Sequence, residues 1–341
     1  MSRRKPQPRP TPPPTALERA INDLRQPASS AAPQTVSARW LLSAAAISIL
    51  AAAICAWGAL CFLFAQGSWQ LLYHPTSPIT GTPASANLDF QTIAFAPDSA
   101  GVPQLTGWWI PTTPDAPYAR FAVLYLHSQD GNLSNTVNDL AFFHSIGLNV
   151  FAIDYRGYGQ SQFQHPTESR WRADTEAALN YLTQTRHLPP NSILVAGKLL
   201  GANLAMEIAA VHPNLAGTIL DQPLADPMNA IFNDPRAALV PAHLLVRDRY
   251  DSIAAASSLI VPALWFNAPS SVVQSNASAA TSQPAASLAP TPQAYSLIPA
   301  RKTIVSPETQ NGSAQDPEIA AQRSAALTRW LDDLPVPPAR P

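Results

Sequence analysis

Charge is scarce in this chain: acidic and basic residues together make up 13% of its 341 residues, while 46% are hydrophobic. That charged share is about half the usual one, which excludes a simple, well-charged soluble globule. Part of the chain belongs in lipid or in low-complexity sequence. Glycine is short at 13 residues, which excludes collagen-like repetition even though proline reaches 36. With 21 basic and 22 acidic residues the net charge is −1. There is no basic footprint for nucleic acid and no acidic one for histones or cations. Only two cysteines occur, Cys55 and Cys61, both inside the longest apolar run, so neither staples a fold. Lysine is reduced to Lys5, Lys198 and Lys302, and no histidine follows His243. No His, Cys, Asp and Glu cluster has metal-ligand spacing and no glycine-rich phosphate loop is present, so neither a metal nor a cofactor is expected.

What the chain does have is a long apolar run. From Trp40 to Tyr73 no side chain is charged. As a helix, residues 40–65 would be roughly 39 Å long at ~1.5 Å per residue, enough to cross a bilayer with some tilt. A cleavable signal peptide competes with this reading, but its charged and apolar regions would both be too long. Residues 1–39 carry Arg3, Arg4, Lys5, Arg9, Arg19, Arg25 and Arg39 against Glu18 and Asp23, and no charge follows the run until Asp89. The positive-inside bias places the N-terminus in the cytoplasm and the bulk of the chain outside it. The tail at 1–39, with Pro12-Pro13-Pro14, has too few large apolar residues to fold and reads as disordered, and 335–341 is a second Pro-rich tail.

Between residues 71 and 334 short apolar runs alternate with helical patterns. The expected fold class is α/β, a mostly parallel sheet with helices on both faces, preceded by one transmembrane helix. Strands are expected at Phe121–His127, Leu148–Ile153, Ile193–Ala196, Gly217–Leu220, Ile260–Phe266 and Ala294–Pro299. One helix begins near Asn132, Thr167 caps a second bearing Trp171, Ala178 and Leu182, and Gly201–Val211 forms a third. A last helix opens at Asp316-Pro317 with Leu327, Trp330, Leu331 and Leu334 on one face. Residues 268–295, uncharged and dominated by Ser, Ala and Pro, read as a low-complexity loop longer than compact domains usually tolerate.

Five segments, taken together, carry a family resemblance. They are LLYHP at Leu71–Pro75, LYLHSQDGNLSN at Leu124–Asn135, FAIDYRGYGQS at Phe151–Ser161, ILVAGKLLGANLA at Ile193–Ala205 and RDRYDS at Arg247–Ser252. With them the chain resembles the α/β-hydrolase superfamily over Leu71–Leu334, in particular its bacterial membrane-anchored esterase and serine-peptidase-like members. The resemblance implies a cap region at 224–255, helical over Arg236–Arg247, where Leu239, Leu244 and Leu245 would cover the pocket. It implies an inner (plasma) membrane location with the main domain extracytoplasmic or periplasmic. It also implies a strand, a G-x-S-x-G turn and a helix, with the serine exposed and backbone N–H groups facing its oxyanion.

In this chain the turn reads Gly197-Lys198-Leu199-Leu200-Gly201, so Leu199 stands at the nucleophile position. The oxyanion-hole equivalents are the backbone groups of Ser128, Gln129 and Leu200. The family's acid would fall at Ser271 and its histidine at Thr303, and no Asp or Glu occurs between Ile260 and Val305. An isobutyl group has no lone pair to attack a carbonyl, and the members of a triad act as a unit. The expectation is a retained fold with abandoned chemistry: a pseudohydrolase acting in binding or scaffolding, with a protein or a small apolar ligand as partner. The alternative is an active hydrolase of acyl, ester or peptide bonds with rearranged residues, and a third reading is a sensor signalling through the span. With no reaction to maintain it, Leu199 should relax to ordinary dihedrals or lie buried under the cap. Ser161 reads as structural, Ser145 closes a helix in the wrong direction for a nucleophile, and His127 suits a supporting hydrogen bond. Lys198 should be solvated, and Asp221 and Asp226 should cap the segment that follows them.

Overall fold

The computed structural model describes residues 13, 15–25, 36–267, 292–306 and 317–335. They divide into two units, Met1–Gly58 and Ala59–Pro341. In the first, helix α1 (Ala16–Arg25) forms inside the segment expected to be disordered. The reason is local. Thr15 N–H donates to Glu18 Oε2 at 2.9 Å and Glu18 N–H donates to Thr15 Oγ1 at 3.4 Å, a reciprocal cap, and Leu17 and Ile21 lie one turn apart. Helix α2 (Ala38–Gly67) follows, and the stretch Ala38–Leu71 is long and apolar enough to cross a membrane, with a mean hydropathy of 2.4.

The second unit is built on eight strands. These are β1 (Gln91–Pro97), β2 (Pro103–Ile110), β3 (Ala122–Leu126), β4 (Asn149–Asp154), β5 (Ile193–Lys198), β6 (Gly217–Asp221), β7 (Ala263–Phe266) and β8 (Lys302–Val305). Their order is β8-β7-β6-β5-β3-β4-β2-β1, and only β2 runs against its neighbours. Every residue of β3, β4 and β6 is buried, as a parallel sheet covered on both faces requires. The helices are α3 (Val137–Ser145), α4 (Glu168–Asn180), α5 (Leu200–Val211), α6 (Ser252–Ser258), α7 (Pro292–Leu297) and α8 (Pro317–Asp332). One core cluster joins α4, α5 and α6 to one face of the sheet, and a second joins α3 and α8 to the other.

Three sequence expectations fail for physical reasons. Strands β1 and β2 were not anticipated, because β1 buries only Phe95 and so carries almost no alternation. The strand expected at Ala294–Pro299 is instead α7, started by Pro292 and closed by Lys302, whose Nζ donates to the carbonyls of Tyr295, Ser296 and Ile298 at 2.8–2.9 Å. The last strand is therefore Lys302–Val305. The single helix expected over Arg236–Arg247 is two short pieces, Pro235–Leu239 and Ala242–Leu245, separated at Pro241, which cannot continue a helix ladder. Leu239 and Leu244 are 61% and 83% exposed, and of the three leucines only Leu245 packs against the core. The loop expected at 268–295 lies outside the described residues up to 291.

Trp171 is fully buried and stacks on Tyr155 at 3.9 Å. Trp171→Ala should cost about 3–5 kcal/mol, seen as a lower denaturation midpoint of the solubilised chain with an unchanged m value.

Candidate active site

Strand β5 ends at Lys198, Leu199 turns the chain, and α5 begins at Leu200. A Cβ on Gly197 would collide with the Gly201 carbonyl, and one on Gly201 with the carbonyls of Leu126 and His127. The helix can approach the sheet this closely only with glycine at both places. Leu199 has φ 52° and ψ −121°, a conformation that costs a residue with a side chain on the order of 1–3 kcal/mol. The expected relaxation has not taken place, and Leu199 remains partly exposed. Its backbone is held on both sides: the N–H donates to the Asp221 carbonyl at 2.9 Å, and the carbonyl accepts from Ala202 and Asn203 at 2.9 and 3.3 Å. The strain belongs to the turn and not to the side chain.

The loop after β3 lies against this turn. Leu200 N–H points at Gln129 Oε1 at 3.4 Å, so the Gln129 side chain occupies a donor that would otherwise face a developing oxyanion. Gln129 is itself fixed, its carbonyl accepting from His74 N–H and from the Tyr158 hydroxyl, both at 2.9 Å. Ser128 Oγ donates to the Asp130 carbonyl at 3.3 Å.

Two ion pairs lie at the strand ends flanking the turn. Lys198 Nζ donates to Asp139 of α3 at 3.0 Å, and the Tyr125 hydroxyl donates to the same carboxylate at 2.9 Å. In the neighbouring strand, Asp221 Oδ2 accepts from Arg323 of α8 at 2.6 Å, and the guanidinium lies over the Phe266 ring at 4.5 Å. Lys198 is thus paired and not simply solvated, and Asp221 is an ion-pair partner and not a cap. Sequence periodicity holds no trace of these contacts, whose partners are 59 and 102 residues apart. Burial works against the charge on Arg323, but Asp221 outweighs it and raises the pKa above the usual guanidinium value. Burial, reinforced by Asp139, raises the Tyr125 phenol.

No family model matches the chain. It is similar to the uncharacterized protein YfhR of Salmonella typhimurium, 28% identical over 144 residues, 42% of this chain and 47% of that protein. It is also similar to human alpha/beta hydrolase domain-containing protein 17B, 30% identical over 125 residues, 36% of this chain and 42% of the relative. These matches span less than half the length of either relative. Among solved structures, acetyl xylan esterase from Paenibacillus sp. R4 superposes with a TM-score of 0.50 at 14% identity, covering 79% of this chain and 99% of that one. The fold is that of the α/β-hydrolases.

In an α/β-hydrolase the turn after β5 is the nucleophile elbow, and here its apex is Leu199. Of the other two positions, Ser271 lies outside the described residues. Thr303 sits within β8 and not after it, because the strand is displaced toward the C-terminus by α7 and ends at Val305. No histidine follows Val305 in the sequence. His127 is fully buried, with Nδ1 2.7 Å from the Ser128 carbonyl and Nε2 3.7 Å from Asp154 Oδ1, and it is enclosed by the rings of Tyr155 and Tyr158. Burial lowers His127 to about 4, and burial raises Asp154 to about 7 against the pull of backbone donors at Leu133 and Gln160. Ser161 Oγ donates to the Asp154 carbonyl at 2.6 Å and accepts from Thr106 N–H at 2.9 Å, while Ser145 Oγ donates to the Phe142 carbonyl at 2.8 Å. Among the described residues no hydrogen bond joins a serine hydroxyl to a histidine ring, and no group of three metal-ligating side chains occurs.

Asp221→Ala leaves the Arg323 guanidinium buried without its partner and should cost about 3–5 kcal/mol, whereas Asp221→Ala combined with Arg323→Met should recover part of that loss in the same denaturation assay. The buried His127 and Asp154 act in opposite directions with pH. The folded pKa of Asp154 is raised, so its contribution is present below about 4 and lost as pH rises through about 7. The folded pKa of His127 is depressed, so its contribution is present above 6.5 and lost as pH falls through about 4. In thermal melts from pH 4 to pH 8, the stability margin of the wild type over Asp154→Asn should shrink as pH rises from about 4 to about 7. The variant alone should then show the acid-side loss due to His127.

Proposed function

We propose that this chain is a membrane-anchored α/β-hydrolase-fold protein that has lost hydrolysis and acts in binding or scaffolding. One observation carries the reading: the elbow keeps its strained backbone while presenting the hydrocarbon side chain of Leu199. A carbon terminus supplies neither a nucleophile nor a proton for a base to take. Further support comes from the sequence, which has no imidazole after His243, and from Gln129, which occupies the Leu200 N–H. The apolar stretch Ala38–Leu71 supports anchoring. The excess of Arg and Lys before it supports a cytoplasmic N-terminus, with the folded unit on the outer face of a bacterial inner membrane. The fitting partners are a protein or a small apolar ligand, because the partly exposed side chain at the elbow apex, Leu199, is a hydrocarbon. Names such as esterase, carried by proteins of the same fold, favour an active hydrolase instead. That second reading requires a serine activated from an unexpected position, whereas Ser161 and Ser145 are both engaged with backbone groups.

A fluorophosphonate probe applied to the solubilised full chain should leave it unlabelled. Leu199→Ser should not acquire ester turnover, since a hydroxyl at the elbow still lacks its base. Stoichiometric labelling of the wild type, removed by changing one serine to alanine, refutes the proposal. Resistance of the chain to alkaline carbonate extraction from membranes tests the anchor separately.

A further inference from the structure

A groove of about 550 Å³ opens beside the last turn of the candidate span, well apart in sequence from the elbow. Its walls include Trp69 from the end of the span, His165 and Arg170 from the entry to α4, and Arg247 from the cap region. The groove is cationic. Arg170 spends one nitrogen on the His165 carbonyl at 2.6 Å, and Arg247 is exposed with no ion pair or hydrogen bond among the described residues. The carboxylate in the lining, Asp248, accepts from the Tyr73 hydroxyl at 2.7 Å and stands against two arginines. At the same place the protein exposes apolar surface. Trp69 stacks on the His165 ring at 4.8 Å, and Phe163, 73% exposed, meets the edge of that ring at 5.8 Å. A folded chain gains nothing in water from an uncovered phenyl ring at the rim of a cationic groove, next to its lining residue His165.

We propose that this groove binds the phosphate of an anionic phospholipid headgroup in the leaflet facing the folded unit. The inference rests on the anchored reading of Ala38–Leu71. Guanidinium groups match phosphate oxygens in a planar fork, and tryptophan at the end of a span lies at headgroup depth. A basic pocket at that level selects anionic lipid, and Phe163 enters the boundary between headgroup and acyl chain. A site for soluble phosphate would share the two arginines, but the exposed ring favours the lipid.

The full chain is reconstituted into nanodiscs of phosphatidylcholine alone or with phosphatidylglycerol, and its thermal midpoint is measured in each. Phosphatidylglycerol should raise the midpoint by about 2–4 °C. Arg247→Gln, at a side chain with no hydrogen bond or ion pair among the described residues, should remove much of that rise with its midpoint in phosphatidylcholine unchanged, and Arg170→Gln with Arg247→Gln all of it, the rise being taken from the double variant's own midpoint in phosphatidylcholine because Arg170 also holds the His165 carbonyl. Equal midpoints in the two lipids, or a full rise persisting in the double variant, overturn the proposal. Millimolar inorganic phosphate added to phosphatidylcholine discs should have no effect; an equal rise there assigns the site to free phosphate and overturns the lipid. Failure of the chain to co-elute with the discs refutes anchoring itself, whereas co-elution without headgroup dependence refutes only the headgroup site.

Discussion

The closeness of α5 to the sheet is the constraint on which the rest depends. Because Gly197 and Gly201 lack Cβ atoms, the first turn of the helix rests on the backbone of β3, and the one residue between strand and helix is forced to a positive φ. A residue in such a conformation persists only where its surroundings over-determine it. That condition is met on both flanks and from below. Lys198 is tied to α3, Asp221 is tied to α8 while its carbonyl holds the Leu199 N–H, and Asn203 bonds both backbone groups of Leu224 and pairs with Ser252 of α6. None of these contacts involves the Leu199 side chain. A turn held in this way has no route to relaxation, whatever its side chain does.

The same contacts show how the polar groups around the elbow are satisfied. A working elbow keeps oxyanion donors open to substrate. Here Leu200 N–H faces an amide oxygen, Tyr125 and Lys198 share one carboxylate, and the Arg323 charge is matched by Asp221. Buried ion pairs add little net stability over apolar packing, but breaking one is costly because it strands a charge. Their effect is therefore one of position: they fix the ends of β5 and β6 relative to α3 and α8, around the strained residue. His127 and Asp154 show the same influence of the core, because burial favours the neutral form of each, lowering His127 to about 4 and raising Asp154 to about 7.

Much of the central sheet could be read from the chain because β3, β4, β5 and β6 are continuous apolar runs bounded by turns, and the elbow because its two glycines fix the spacing. The edges were less readable. Strand β1 is mostly exposed and β8 has no fully buried residue, so neither imposes a pattern on its sequence. The tail helix α1 depends on one capping pair that an average over composition dilutes. In the candidate site, the leucine at the elbow apex and the lack of histidine after His243 are matters of residue type and need no coordinates, whereas Thr303 falls within β8 because the helical segment ahead of it resembles a strand in its apolar content. The pairing of Lys198 and Asp221 is a product of tertiary contact alone.

The end of the apolar helix is part of the folded unit and not a tether. Phe64, Leu72 and Tyr73 are buried in the core cluster that contains α4 and α5. The Tyr73 hydroxyl donates to Asp248 and lies 2.9 Å from that of Tyr250, and its ring packs on Trp171 at 5.3 Å. Burial raises the pKa of both phenols, so they stay neutral and serve as hydrogen-bonding groups in an apolar setting. A hinge requires a segment with few buried contacts, and residues 64–73 are the reverse of that. The last turns of the apolar stretch therefore belong to the second unit as packed elements, held there by ring packing on Trp171 and by the hydrogen bond to Asp248.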